Sequence, residues 1–275
     1  MPVVREQRTL RIGVVFGGEA DEGLGGILSS LVSGRRADVA AVFVEDRRLF
    51  RMAELPFAAE VCRVSAVRRP ITTGELERQM NLLALRAEAV VRHVAEGAGT
   101  HWSFRRHRGR LVTALAEAGD VDFVVVGTAR RGLAPSGELR ASAKSLRGAD
   151  DEARRQIALL FDSTEAGWRA VDAAVELAVQ TGRFLWALLG PSAGEDAPDL
   201  AARLEALGPK GAAIRRVPDA DPAGLLSAVG RPSPAFIVLG IDDSAPGAAE
   251  ERLESLQRRA RCPLVIVRSG RARSQ

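Results

Sequence analysis

The sequence predicts an α/β fold built as two tandem open parallel sheets, and three observations carry that prediction. Short β-branched runs that end in glycine alternate with stretches of helical period along the 275 residues. One of these runs, "VDFVVVG" (121–127), returns as "AFIVLG" (235–240). The length suits two domains of roughly 100–150 residues, each able to bury a core.

In the first half, "LRIGVVFGG" (10–18) is a short apolar run closed by glycines, the pattern of a strand buried on both faces. "DEGLGGILSSLVSGRRA" (21–37) places Leu24, Ile27, Leu28 and Leu31 at helical spacing, and "DVAAVFVED" (38–46) reads as a second strand ending in acids. Residues 47–73 mix arginine, proline and scattered apolar groups without a sustained period, and are read as an insertion. From 74 to 97 the positions Leu76, Met80, Leu83, Ala87 and Val91 share one helix face, with Thr72 or Thr73 as cap. "HWSFRRHRG" (101–109) alternates as a strand, "LVTALAEAGD" (111–120) is a short helix, and Asp122–Val126 is the next strand. Strands and helices alternating in this way imply parallel pairs with right-handed crossovers.

The second half restarts the pattern. "RQIALLFDSTEAG" (155–167) echoes the first strand and its turn, and "WRAVDAAVELAVQTG" (168–182) is a helix with glycine at its end. "RFLWALLG", "DLAARLEALG", "AAIRRVP", "PAGLLSAVG" and "AFIVLG" alternate strand and helix, and "AAEERLESLQRRA" then leads into "CPLVIVRSG" as a last helix and strand. Phe16 aligns with Phe161 at an offset of 145, and Gly127 with Gly240 at 113. The difference falls in the insertion and longer helix of the first half, so the chain is a divergent repeat divided at 1–150 and 151–275.

Composition narrows the functional classes. Thirty-nine basic residues against 35 acidic ones leave a net charge of +4, which describes a mixed solvated surface better than a nucleic-acid footprint. Aromatics make up 4% and tyrosine is absent, against a base-stacking platform. Cys62 and Cys262 lie far apart with no CxxC spacing, and His93, His101 and His107 have no carboxylate or thiol at ligand spacing, so neither a disulfide framework nor a metal site is indicated. No stretch matches a signal peptide or a membrane span, and the expectation is a cytoplasmic protein. No catalytic residue is assigned, and His93, His101 and His107 assemble no catalytic triad.

The strand–helix order, closed by "RRARCPLVIVRSG", resembles the universal stress protein family, whose last helix leads into Cys-Pro and a valine-rich strand. "LLFDSTEAGWRAVDAAVELAVQTG" (159–182) resembles that family's opening: a strand ending in Asp, a Ser soon after, and an Ala-rich helix. The resemblance covers nearly the whole chain and implies two Rossmann-like domains with a stress-response role. It also implies homodimerisation through the closing strand, here Leu264, Val265, Ile266 and Val267. The first half shows no Val/Ile run in 134–156 where its own closing strand belongs, so its edge is either open or capped by the other half.

The family's nucleotide-binding branch carries G-x2-G-x9-G-[ST] after its fourth strand, where side-chain-free backbone approaches phosphate oxygens. Here Gly127 and Thr128 stand at that place, but Arg130 occupies the second glycine position and Gly132 is spaced differently. Arg130 and Arg131 follow a strand's carboxyl end and either hold a phosphate or carboxylate or lie in a solvated loop. In the second half Gly240 is followed by Asp242 and Asp243, whose charges repel phosphate. Asp162 and Ser163 match the family's adenine-side Asp and the start of a helix cap, whereas Gly17 stands where the other half has Asp162, beside Gly18, and reads as a tight turn. Two readings follow. One is a non-catalytic stress-response module acting through dimerisation and partner contacts, its nucleotide motif degenerate and no cofactor assigned. The other is an ATP- or AMP-binding protein, or slow ATPase, using the first-half crevice.

Overall fold

The computed structural model describes residues 9–18, 22–61, 66–110, 113–114, 121–128, 156–208, 211–218, 224, 228, 234–242, 251, 253, 255–257, 259–260 and 262–268. Among the described residues there are eleven strands and five α-helices. In the first half these are β1 (Leu10–Phe16), α1 (Glu22–Val32), β2 (Ala37–Asp46), α2 (Arg47–Ala53), β3 (Ala59–Val61), β4 (Arg68–Pro70), α3 (Thr73–Gly97), β5 (His101–Gly109) and β6 (Phe123–Val126). The second half has β7 (Gln156–Phe161), α4 (Glu165–Thr181), β8 (Phe184–Leu189), α5 (Ala197–Leu204), β9 (Ala212–Arg216), β10 (Phe236–Ile241) and β11 (Leu264–Arg268).

Local chemistry explains most of these limits. Thr72 caps α3, its hydroxyl accepting from the Glu75 N–H at 3.2 Å. Thr164 caps α4 by accepting from the Gly167 N–H at 2.9 Å, and α4 ends at Gly182 in the left-handed conformation, φ 62°. The stretch 47–73 contains more than a spacer: α2 starts directly from β2 under an Asp46 cap, and β3 and β4 form a separate antiparallel pair.

Nine strands make one sheet in the order β5-β2-β1-β6-β11-β10-β7-β8-β9. Within this nine-stranded sheet the pairs inside each half are parallel, and the one antiparallel contact among the described residues joins β11 to β6, Leu264 opposite Val126 and Val267 opposite Phe123. The two halves therefore run in opposite directions within a continuous mixed sheet. Of the two possibilities for the first-half edge, the structure shows the capped one: the second half's closing strand lies on it. This corrects the expectation that Leu264–Val267 offers an edge to a partner chain. β11 is bonded to β10 on one side and β6 on the other, so its backbone groups are satisfied within the chain. Its four apolar residues are buried, as a central strand covered on both faces requires.

Each sheet face carries a core layer that crosses the seam. On one face α1, α3, α4 and α5 contribute Leu28, Ala87, Ala174 and Leu200 over residues from both halves. On the other, Leu253 and Leu256 cover Val15, Val126, Leu239 and Ile266. An ion pair between Arg35 and Glu176 of α4 also bridges the halves. Arg106 and Arg216 lie on the two outermost strands, and charged side chains on such edges discourage strand addition.

Candidate functional site

Open parallel sheets bind ligands at the carboxyl ends of their strands, and here the two halves present those ends on opposite sides of the sheet. Gly17, Gly18, Gly127 and Thr128 gather at the ends of β1 and β6, whereas Asp162, Ser163 and Gly240 gather at the ends of β7 and β10. Gly127 stands next to Val126, which pairs with Leu264, while Gly240 pairs with Val267. That spacing puts the two glycines about four residues apart along the strands, roughly 13 Å. The sequence-selected residues therefore form two groups. Arg130, Arg131, Gly132 and Asp243 lie outside the described residues.

The second-half group is explained by packing. A Cβ on Gly240 would overlap the Ala166 carbonyl and the Gly167 nitrogen, so the backbone of the first turn of α4 rests directly on β10. Asp162 Oδ1 accepts from the Thr164 hydroxyl at 2.7 Å and from the Thr164 N–H at 3.3 Å, and Thr164 in turn holds the Gly167 N–H. A Cβ on Gly167 would come within 2.6 Å of that carboxylate oxygen. An internal anion thus sits at the helix N-terminus, the place where an external phosphate gains from the helix dipole. The cap residue is Thr164; Ser163, expected to begin it, instead takes a left-handed φ of 62°, and its buried hydroxyl has no partner.

The first-half group has a different character. The Gly127 N–H donates to the Val15 carbonyl at 2.9 Å, extending the β1–β6 pairing by one residue. A Cβ on Gly127 would meet the end of the Leu24 side chain at 3.1 Å and lie in ordinary contact with the Val15 carbonyl oxygen at 3.6 Å. Gly17 lies in a bend at the end of β1 but has no positive φ, so the turn itself does not require glycine there. What a side chain there would meet is Gln257 Nε2, at 3.3 Å. Val15 and Val126 are partners pointing into the same core layer as Leu256, and strand alternation carries Gly17 and Thr128 to that face as well. Thr128 is 4% exposed and its Oγ1 has no hydrogen-bond partner.

Helical residues 255–257 of the second half thus reach across β11 to the first half's strand ends. Sequence reasoning missed Gln257, because nothing local to "LESLQRRA" indicates which half it will cover. Among the described residues, Thr128 and Gln257 are the polar side chains placed at this end.

Glu45, also missed, is 3% exposed at the end of β2. Its carboxylate accepts from Arg106 Nε at 2.8 Å and from Arg108 Nε at 3.0 Å, while Arg106 Nη1 donates to Asn81 Oδ1 at 2.6 Å. Two arginines of the basic run 105–110 are therefore engaged within the protein. Burial lowers the Arg35 and Arg183 pKa values, and both residues stand at the opposite, amino ends of their neighbouring strands. Among the described residues, no cluster of three His, Cys, Asp or Glu could hold a metal, and no helix is long and apolar enough to cross a membrane.

No protein-family model matches this chain, and no curated protein matches it. Among solved structures, a universal stress protein from Archaeoglobus fulgidus DSM 4304 superposes with a TM-score of 0.50 at 13% identity, covering 94% of this chain and 97% of that one. A universal stress protein in complex with cAMP is 21% identical over 42% of this chain and 98% of its own, with a TM-score of 0.36. The cytoplasmic domain of a prokaryotic cation chloride cotransporter is 11% identical, covers 96% and 97%, and scores 0.43. At these identities the likeness speaks to fold alone: the α/β architecture is that seen in the archaeal universal stress protein.

Proposed function

We propose that the chain is a non-catalytic regulatory module of the universal stress protein type, in which the first-half crevice takes one small polar ligand and the second half is structural. Two observations support this reading: Gly240 is wedged against the backbone of α4, which closes the second-half strand end where the Ser163 hydroxyl also lacks a partner, whereas Thr128, 4% exposed, has a partnerless hydroxyl directly after β6, where no such backbone wedge stands at Gly127. A buried polar group without a partner carries an unrecovered desolvation cost, and a ligand group bonded to it recovers that cost. A hydroxyl and a carboxamide hold ligands by hydrogen bonds and do not titrate near neutral pH, which suits binding rather than acid–base chemistry. Adenine nucleotides, ATP or AMP, are the first ligands to test, because the fold resembles one whose nucleotide-binding branch uses this strand end.

The test is calorimetry of the full chain with ATP, ADP and AMP. One site per chain is expected, weakened about tenfold by Thr128→Val, the worth of one hydrogen bond, and unchanged by Asp162→Asn. Two sites, or a site that Asp162→Asn abolishes, would overturn the assignment. Steady phosphate release from ATP would replace it with the slow-ATPase reading. A chain that binds none of the three at millimolar concentration would leave a module acting through protein contacts alone.

A further inference from the structure

We infer that residues 47–61 and 66–71 form a docking surface for an acidic amphipathic helix of a partner protein. Six of the nine large apolar side chains exposed among the described residues lie here: Leu49, Met52, Leu55, Phe57, Val61 and Val67. The short helix α2 has two faces. Phe50 and Ala53 turn inward, with the Arg108 guanidinium 4.1 Å above the Phe50 ring, while Leu49 and Met52 turn outward. The Leu55 N–H donates to the Met52 carbonyl at 3.1 Å and continues that turn, so Leu49, Met52 and Leu55 form one stripe at three-residue spacing. Phe57 follows, 77% exposed.

The segment is a built surface. The Asp46 carboxylate accepts from the Arg48 N–H at 2.9 Å, the Ala58 N–H donates to the Leu55 carbonyl at 3.0 Å, and the Ile71 N–H donates to the Ala58 carbonyl at 3.2 Å. These bonds tie the end of α2 to the base of the β3–β4 pair. An apolar concentration rimmed by polar groups marks an interaction site rather than scattered surface residues.

Charge selects the occupant. Arg47, Arg48, Arg51, Arg68 and Arg69 are exposed around the stripe, and their side chains make no ion pair or hydrogen bond among the described residues. Glu54 and Glu60 are the acids of the same stretch. A second copy would bring arginines against arginines across a two-fold axis, because an isologous contact faces each patch with itself. A lipid surface requires apolar groups that stand clear enough to reach the acyl region; Met52 is only 52% exposed and Leu49 39%, leaving Phe57 alone to insert. A half-buried stripe one helix wide suits apolar anchors at i, i+3 and i+7 of a partner helix whose flanking Asp and Glu meet the arginine rim.

The test titrates the full chain into a fluorescent synthetic helix of about 16 residues, with Leu at helical spacing and Glu on its flanks. A control peptide carries Lys in place of Glu, and phosphatidylserine–phosphatidylcholine vesicles and sedimentation velocity run alongside. Saturable binding is expected for the Glu peptide, weakened at least tenfold by either Phe57→Ser or Met52→Ser and falling with salt, with no binding of the Lys peptide. Both variants change exposed side chains, and an unaltered urea midpoint will show that they fold. The inference is overturned if the Glu peptide does not bind, if both variants bind as the parent does, if the vesicles bind and Phe57→Ser abolishes it, or if the chain forms a dimer that Met52→Ser dissociates.

Discussion

The two halves share one strand–helix plan, yet their strand ends are put to different use. In the second half the first turn of α4 lies on Gly240, and Asp162 turns inward to Thr164, so glycine and carboxylate alike serve packing. In the first half Gly127 faces the end of the Leu24 side chain rather than backbone of a helix, Thr128 stays buried without a partner, and Gln257 of the other half stands over Gly17. The outer strands differ too: Glu45 gathers Arg106 and Arg108 in the first half, whereas the corresponding β8 end has Leu189 paired with Arg216. A shared strand order does not imply shared sites, because a site depends on which backbone closes over the strand ends.

The largest expected effect separates the glycines. Gly240→Ala drives a methyl into backbone that cannot rotate away and is expected to cost about 3 kcal/mol, the upper end of overpacking penalties. Gly127→Ala asks only a leucine tip to move and should cost about 1 kcal/mol or less. Equal losses in urea denaturation would erase the contrast between the halves.

Glu45→Gln comes next, at about 2 kcal/mol. Removing one member of a buried pair is costly, but the Arg106 and Arg108 side chains are 43% and 50% exposed and keep part of their hydration. Loss of under half that amount would show that the clamp at the end of β2 is incidental.

Thr128→Val tests the vacant hydroxyl in the opposite direction. Removing an unsatisfied buried polar group should leave the ligand-free chain as stable as before or more stable by up to about 1 kcal/mol. A loss of 2 kcal/mol or more would mean that the hydroxyl has a partner within the protein. The smallest effect belongs to Arg35→Met, which breaks the ion pair with Glu176 across the seam. Glu176 is half exposed, so the change should stay within about 1 kcal/mol; a larger loss would make the seam electrostatic rather than apolar.

Much of this was legible along the chain. Short-range periodicity marked β1, β2, α3, β7 and α4, because a helix or strand places side chains on a face by their spacing alone. Thr72 and Gly182 were readable as caps, since a cap acts on backbone three or four residues away. The lack of a Val/Ile run in 134–156 left the first half's edge either open or capped, and β11 is the strand that lies on it. The sites were less legible. Asp162 and Gly127 fit one ligand-binding pattern in sequence but stand at opposite ends of the sheet, and "RRHRGR" conceals its engagement with a carboxylate on β2.

By itself the sequence determined β1, β2, α3, β7 and α4 and the caps at Thr72 and Gly182, all of which rest on interactions within a few residues. Only the tertiary structure decided that β11 lies antiparallel on β6, that Gln257 reaches the first half's strand ends, and that Gly240 is a packing glycine. Those outcomes depend on which distant backbone satisfies an exposed strand edge, and the apolar, doubly buried run Leu264–Val267 suits any such edge until the chain closes on one.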